Sequence, residues 1–498
     1  MRYFPEGGKS RLADEPRIAV VRPLLFGALA VSALLWVAWF NGYPTVFSDT
    51  GSYLYTGKFL HALPPFRAPG YSMFTRVTSL GRSAWFIVVA QAFLVVYALR
   101  KTCAYLIGGD SRFRDTCLLV IVCLLAALTS LPWEASLLMP DVFAGLMFLA
   151  AFLLACDGEL RLTERIGLAA VLAVSVSAHM SLMPIVALLI VALAMPRLAG
   201  WQPPGAPAIR VMLAWLLVPV IAAGLWTATL NRKMKLGFRL SASGNEFLLA
   251  RLFGDGLAAD FLRANCPKKP FIACRYLDEL PRTQSEFLFY HPLLHDMAGH
   301  KNEINEISRG TIYAYPVRFA MSSIEETLRQ LVSFRTGDEI RTTNAPDWNS
   351  VNIRQVFPRE LPAFTNDRES RDRLSPLADA LARMDTIVFW LSVAACVYFA
   401  RTRRAARVNA FFYAAAAFLV INAALCASLV GVYDRYQSRV AWIVPLCLAS
   451  YVACLVKPAE SIPAIASANS SASSPEAVPI ALPDPTFRDY PGSTQTDS

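Results

Sequence analysis

The chain has 498 residues, of which 55% are hydrophobic and 17% charged, with a mean hydropathy of +0.41. That is more apolar material than one soluble core uses, and it comes in continuous blocks about a bilayer long instead of the short alternating segments of a transmembrane barrel. The net charge of +10 does not point to nucleic acid, because the basic residues cluster in alternate loops in the positive-inside pattern. The expected fold class is an all-α polytopic membrane protein with about 10 transmembrane helices in a cell inner (cytoplasmic) membrane.

In chain order, the opening stretch MRYFPEGGKSRLADEPRIAVVR is basic, but too long and too acidic for a signal n-region. Residues 1–23 therefore read as a cytoplasmic segment and 24–40 as a retained helix. Further helices are expected at 84–100, 116–132, 140–156, 166–179, 182–196, 210–230, 386–400, 408–430 and 439–456. The fifth and sixth runs, joined only by SAHMSLMP, are either full spans or a re-entrant pair. Both readings keep the two termini cytoplasmic. They also put residues 41–82, the turns at 131–141, 179 and 431–438, and the segment 231–385 on one outer face. The chain thus divides into a transmembrane module over 24–230 with its first outer loop at 41–82, an extracytoplasmic, mainly helical domain over 231–385, and C-terminal helices over 386–456. The last part, 457–498, is rich in Ala, Ser and Pro and reads as a disordered cytoplasmic tail.

The outer segment is nearly balanced, with 22 Lys and Arg against 20 Asp and Glu. Its two cysteines, Cys266 and Cys274 in NCPKKPFIACRY, suit a disulfide in an oxidising compartment. Upstream, GNEFLLARLFGDGLAADFLRANCP reads as an amphipathic helix pair broken at Gly254–Gly256, forming a lid or packing layer. His291, His295 and His300 in HPLLHDMAGH include an i, i+4 pair beside Asp296. Pro292 marks a helix that only begins there and no His-Glu-x-x-His pattern is present, so the metal stays unassigned. His61 reads as a loop residue.

The middles of the apolar runs hold neutral polar residues such as Gln91 and Asn422 but essentially no charge, which argues against ion-coupled transport. The ionisable groups gather at the outer ends. Asp49 lies in FSDTGSYL, Arg67 and Tyr71 in FRAPGY, Glu134 in LPWEASLL, Asp141 in MPDVFAGL, His179 at the turn of the fifth and sixth runs, and Arg435, Tyr436 and Arg439 in GVYDRYQSRVAW. Sugar transfer from a lipid phosphate to a hydroxyl or amine needs a base for the acceptor proton and positive charge for the departing phosphate. Carboxylates and the planar fork of arginine supply both.

FSDTGSYL, FRAPGY and MPDVFAGL, in this order and topology, resemble the GT-C superfamily of integral-membrane glycosyltransferases over roughly the first 200 residues, together with the final DRY-containing turn. The resemblance implies Asp49 as general base or metal ligand and Asp141 as its partner. It also implies that the neighbourhoods of Arg67 and Arg435 contact a polyprenyl-phosphate-linked sugar donor. Many relatives carry Asp-Glu or Glu-x-Asp in the first loop, whereas Asp49 is followed by Thr50 and Gly51, so a divalent metal is compatible with the site without being required. ARLFGDGLAADFLRANCP with a following Cys also resembles a bacterial membrane-protein family that brings no activity with it. The plainer roles are helix caps for Asp49 and Asp141, headgroup anchors for the arginines, and a solvated turn residue for Glu134. Two other functions stand beside transfer: a transporter or flippase of lipid-linked glycans, and a non-catalytic envelope assembly protein. Lipid-linked donor and membrane lipid are the expected partners, and the oligomeric state is left open.

Overall fold

Where the sequence runs apolar for a bilayer's thickness, the chain forms helix, the one open-ended structure that satisfies its own backbone in lipid. The computed structural model describes residues 15–61, 67–337, 346–403 and 405–457. The proposed disordered tail from 457 onward falls outside them except for Lys457. Among the described residues there is no β-strand. The helices of the first half are α1 (Glu15–Leu34), α2 (Trp36–Asn41), α3 (Thr50–Phe59), α4 (Pro69–Ser79), α5 (Trp85–Ile107), α6 (Ser111–Leu128), α7 (Leu131–Ser136), α8 (Val142–Cys156), α9 (Leu162–Ala178), α10 (Leu182–Leu198) and α11 (Ile209–Lys233). Those of the second half are α12 (Gly244–Gly254), α13 (Leu257–Asn265), α14 (Pro292–Asp296), α15 (Lys301–Ala314), α16 (Pro316–Val332), α17 (Pro346–Val356), α18 (Leu361–Thr365), α19 (Ser375–Thr402), α20 (Ala406–Leu429), α21 (Asp434–Ala441) and α22 (Ile443–Leu455).

Among the described residues, five helical stretches are long and apolar enough to cross a membrane: α5, α11, α19, α20 and the joined α21–α22 over Asp434–Leu455. Leu24–Leu34, α8 and α10 are shorter apolar helices. The described residues are all-helical, and their long apolar helices suit a membrane protein. Its middle is α8, all of whose residues are buried, as expected of a helix that is apolar on every side. It packs against α5, α9, α10, α11 and α20. Its N-terminal end, at Asp141, carries the polar residues discussed below. Its C-terminal end meets basic side chains: Arg165 donates to the carbonyl of Gly158 at 2.9 Å, and Arg407 pairs with Glu159 at 3.5 Å.

Three elements differ from the sequence reading. Residues 41–82 are not a plain loop, because α3 and α4 lie within them, packed on each other and on α17. The eighth long helix begins at Ser375, not near 386; Ser375-Pro376 is a good helix start and the Ala- and Leu-rich turns after it are helical without being apolar enough to span. The segment 231–385 has two allegiances. Leu249 to Ile307 form a hydrophobic cluster of their own, whereas Phe334, Ile353, Val356, Phe357 and Phe364 join the main core. The helix pair read from GNEFLLARLFGDGLAADFLRANCP is α12 and α13, broken after Gly254.

Candidate functional site

The site is assembled by a short backbone bridge between two loops far apart in sequence. Thr45 pairs with the turn before α8: its N–H donates to the Ser136 carbonyl at 3.0 Å and its own carbonyl accepts from Leu138 N–H at 2.9 Å. The Thr50 hydroxyl then donates to the Leu138 carbonyl at 3.1 Å. Asp49, just before α3, is thereby carried to the end of α8 that begins at Asp141. Both acids hold the residue position before a helix start, yet neither side chain accepts a capping hydrogen bond, so the cap role does not describe them. Both face arginine. Asp49 forms a short ion pair with Arg67. Asp141 Oδ1 lies 3.5 Å from Arg435 Nε and 3.7 Å from Arg439 Nη1.

Arg435 and Arg439 stand one turn apart on α21, so both point the same way. Their guanidinium groups lie 5.5 and 5.2 Å from the centre of the Tyr436 ring, and that of Arg435 is also 4.4 Å from the ring of Phe47 in the first loop. Asn422 of α20, noted in the sequence only as a neutral polar residue, fixes this arrangement. Its Oδ1 accepts from Arg439 Nη2 at 2.9 Å and its Nδ2 donates to the Tyr436 carbonyl at 2.7 Å. Glu134 is not a solvated turn residue: it is buried and accepts from the Ser438 hydroxyl at 3.2 Å, tying α7 to α21.

The separations around Asp141 exceed the 2.7–2.9 Å of a charge-assisted hydrogen bond. Among the described residues, neither Asp141 oxygen nor Arg439 Nη1 has a hydrogen-bond partner. A buried acid and a buried arginine thus face one another with hydrogen-bonding capacity unused, a costly arrangement away from a functional site. His179 joins the group from the turn after α9. Its Nδ1 accepts from Ser181 N–H at 3.2 Å, which puts the proton on Nε2. Burial, reinforced by Arg439, Arg435 and Arg67, pushes its pKa well down, so the ring is neutral. Burial likewise raises the Tyr53 hydroxyl pKa, with Arg67 opposing and Asp49 and Asp141 reinforcing it. Tyr53 is therefore within electrostatic reach of both acids.

Tyr71 packs inside the protein. It is fully buried, its hydroxyl donates to Gln91 Oε1 at 2.7 Å, and its ring meets Tyr53 edge-on at 5.0 Å. Gln91 in turn donates to the Leu137 carbonyl at 3.0 Å, so a polar residue within a spanning helix holds the turn before Asp141. Two glycines permit the close contacts. A Cβ on Gly51 would stand 2.7 Å from Asn352 Nδ2, and one on Gly70 would stand 2.1 Å from the Ser177 carbonyl oxygen.

The sequence reading missed the return of residues 349–369 to the first loop. Asn349 Oδ1 accepts from Gly51 N–H at 2.9 Å and Asn349 Nδ2 donates to the Phe47 carbonyl at 2.9 Å. Glu369 accepts from Val46 N–H at 3.0 Å, Glu360 from the Tyr43 hydroxyl at 2.9 Å, and Asp367 from Asn41 Nδ2 at 3.2 Å. Asn, Asp and Glu scattered among the apolar residues between 349 and 369 carry no pattern that one sequence could reveal.

Away from this site, Cys266 and Cys274 are disulfide-bonded. His291 Nδ1 accepts from Leu293 N–H at 3.1 Å and caps α14, and its other nitrogen meets the Glu279 carbonyl at 2.7 Å. The ring is committed to backbone, which removes it from a metal-ligand set. Among the described residues no group of three or more His, Cys, Asp and Glu could hold a metal ion. No protein-family profile, curated protein or solved structure matches the chain.

Proposed function

We propose that this protein is an integral-membrane glycosyltransferase of GT-C type. It moves a sugar from a polyprenyl-phosphate-linked donor to an envelope acceptor at the outer face of an inner membrane crossed about ten times, with both termini cytoplasmic. The observation that carries the reading is the meeting of two acids and three arginines, drawn from four separate stretches of chain, at one end of the central helix α8. Asp49 and Arg67 keep side-chain exposures of 15% and 18%, and Arg435 keeps 10%. These are the groups a substrate can reach. Asp49 takes the acceptor's proton, while Arg67 and Arg435 receive the phosphate that leaves as the glycosidic bond to it breaks. Asp141 and Arg439, almost fully buried, stand behind Arg435 and hold its charge in place.

The test is a comparison of envelope glycolipids by mass spectrometry from cells carrying the intact gene, no gene, or the Asp49→Asn form. One glycan-bearing species should disappear in the last two and its unglycosylated acceptor accumulate. An unchanged glycolipid profile, or labelled lipid-linked glycan crossing liposomes without a new glycosidic bond, would reject transfer.

A further inference from the structure

Helix α16 is inside out for a protein in water. Val317, Met321, Ile324, Leu328 and Val332 follow one another at spacings of four, three, four and four, each 60–68% exposed, and at 100° per residue they form a single narrow stripe. The opposite face, turned into the protein, carries Ser322, Glu326 and Gln330 beside Phe319. Ser322 donates to Asp255 at 2.8 Å and accepts from Arg251 at 2.9 Å. Gln330 brackets the backbone of Tyr433, accepting from its N–H and donating to its carbonyl, each at 2.9 Å. An aqueous helix would bury the aliphatic row and hydrate the amide. A helix whose surroundings are hydrocarbon does the reverse.

Its neighbours say what those surroundings are. Of all its partners α16 packs most against α20, a candidate span whose Tyr413, Val420 and Leu429 are themselves exposed. Two residues beyond its end, Phe334 packs on Phe389 of α19 at 4.5 Å, and the outward side of that second span shows Ile387, Trp390 and Leu391. The helix with the exposed stripe thus packs on one candidate span and is joined through Phe334 to a second, and both spans also expose apolar side chains. The charged side chains of α16 are paired: Arg318 with Asp260 at 2.9 Å, and Arg329 with Glu325 at 2.6 Å and Glu326 at 3.3 Å. Paired charges tolerate a headgroup boundary, and a balanced set has no preference for anionic lipid.

We propose that α16 is seated in the bilayer with its aliphatic stripe against acyl chains, so that part of the segment expected to be an extracytoplasmic domain is a membrane-contacting element. Through Gln330 and Tyr433 it braces the start of α21, the helix that carries Arg435 and Arg439. This inference needs the membrane but not the transferase reading.

The experiment uses the full-length chain in phosphatidylcholine nanodiscs containing a lipid with a diazirine on its acyl chain, with tryptic peptides mapped after illumination. Lipid adducts are expected on the peptide Phe319–Arg329, at Met321, Ile324 or Leu328. Hydroxyl-radical oxidation of Met321 should be strongly suppressed relative to the unfolded chain, and substituting phosphatidylglycerol should leave both unchanged. Absence of adducts from that peptide overturns the proposal. So does Met321 oxidation at the unfolded rate.

Discussion

Asp49 and Asp141 hold equivalent places in their helices, immediately before the first residue, and both face arginine. Their surroundings differ. The Asp49–Arg67 pair sits at the edge of the site with both side chains partly exposed, whereas Asp141 has 1% side-chain exposure and Arg439 none. A carboxylate at the edge can exchange a proton with a substrate. One sealed between two guanidinium groups can only organise charge, and it becomes a liability when a partner is lost. Identical residue types at identical helix positions are thereby given different exposure to a substrate, which on the proposed function separates a proton-accepting role for Asp49 from a charge-organising one for Asp141.

That division predicts opposite mutational signatures. Asp49→Asn is expected to lower transfer by about 10²- to 10⁴-fold, the range for removing a general base, with a smaller loss of stability in detergent than Asp141→Ala because its pair keeps part of its hydration. Asp141→Ala leaves Arg439 buried without its counter-charge and is expected to lose about 3–5 kcal/mol of stability. Adding Arg439→Gln should recover part of it. The comparison fails if Asp49→Asn unfolds the protein while Asp141→Ala melts like the parent. Gly70→Ala sharpens it by acting on neither acid: the new methyl overlaps the Ser177 carbonyl, two residues before His179. It should cost about 1–3 kcal/mol, the range for overpacking, with loss of transfer following loss of folded protein in thermal scans.

Much of this was legible in the letters, for reasons that also mark the limit. The apolar runs announce their helices, and Asp49, Asp141, Arg435 and Arg439 lie at or near the ends of those runs, where Asp141 meets both arginines of the last turn. The helices α3 and α4 did not announce themselves. TGSYLYTGKF has two glycines, two threonines and two tyrosines, all weak helix formers, and it is helical because α4 and α17 pack on it. Nothing local in FRAPGY says that the Tyr71 hydroxyl is committed to Gln91. The return of Asn349, Glu360, Asp367 and Glu369 to the first loop is a contact across some 300 positions. Polar side chains without periodicity give no sign of it.

That returning segment also supplies the smallest test, because Asp367 repeats the buried-acid situation in milder form. Burial, only partly offset by hydrogen bonds from Ser370 and Asn41, pushes its pKa up to about 6 from the ordinary 3.8. The folded state therefore binds more protons than the unfolded state between these two values. Stability from this group is full below the unfolded value and is lost as pH rises through the folded one. A shift of two units corresponds to about 2–3 kcal/mol. Asp367→Asn, which cannot ionise, should gain on the parent by up to that amount between pH 4 and pH 7. The fixed offset from altered hydrogen bonding to Asn41 and Ser370 is the same at every pH and drops out of the slope. Denaturant midpoints for both proteins across that range give the difference directly. A flat difference would show that Asp367 is hydrated and that the 349–369 segment does not seal the first loop, and the contrast between Asp49 at the edge and Asp141 within would then rest on α21 alone.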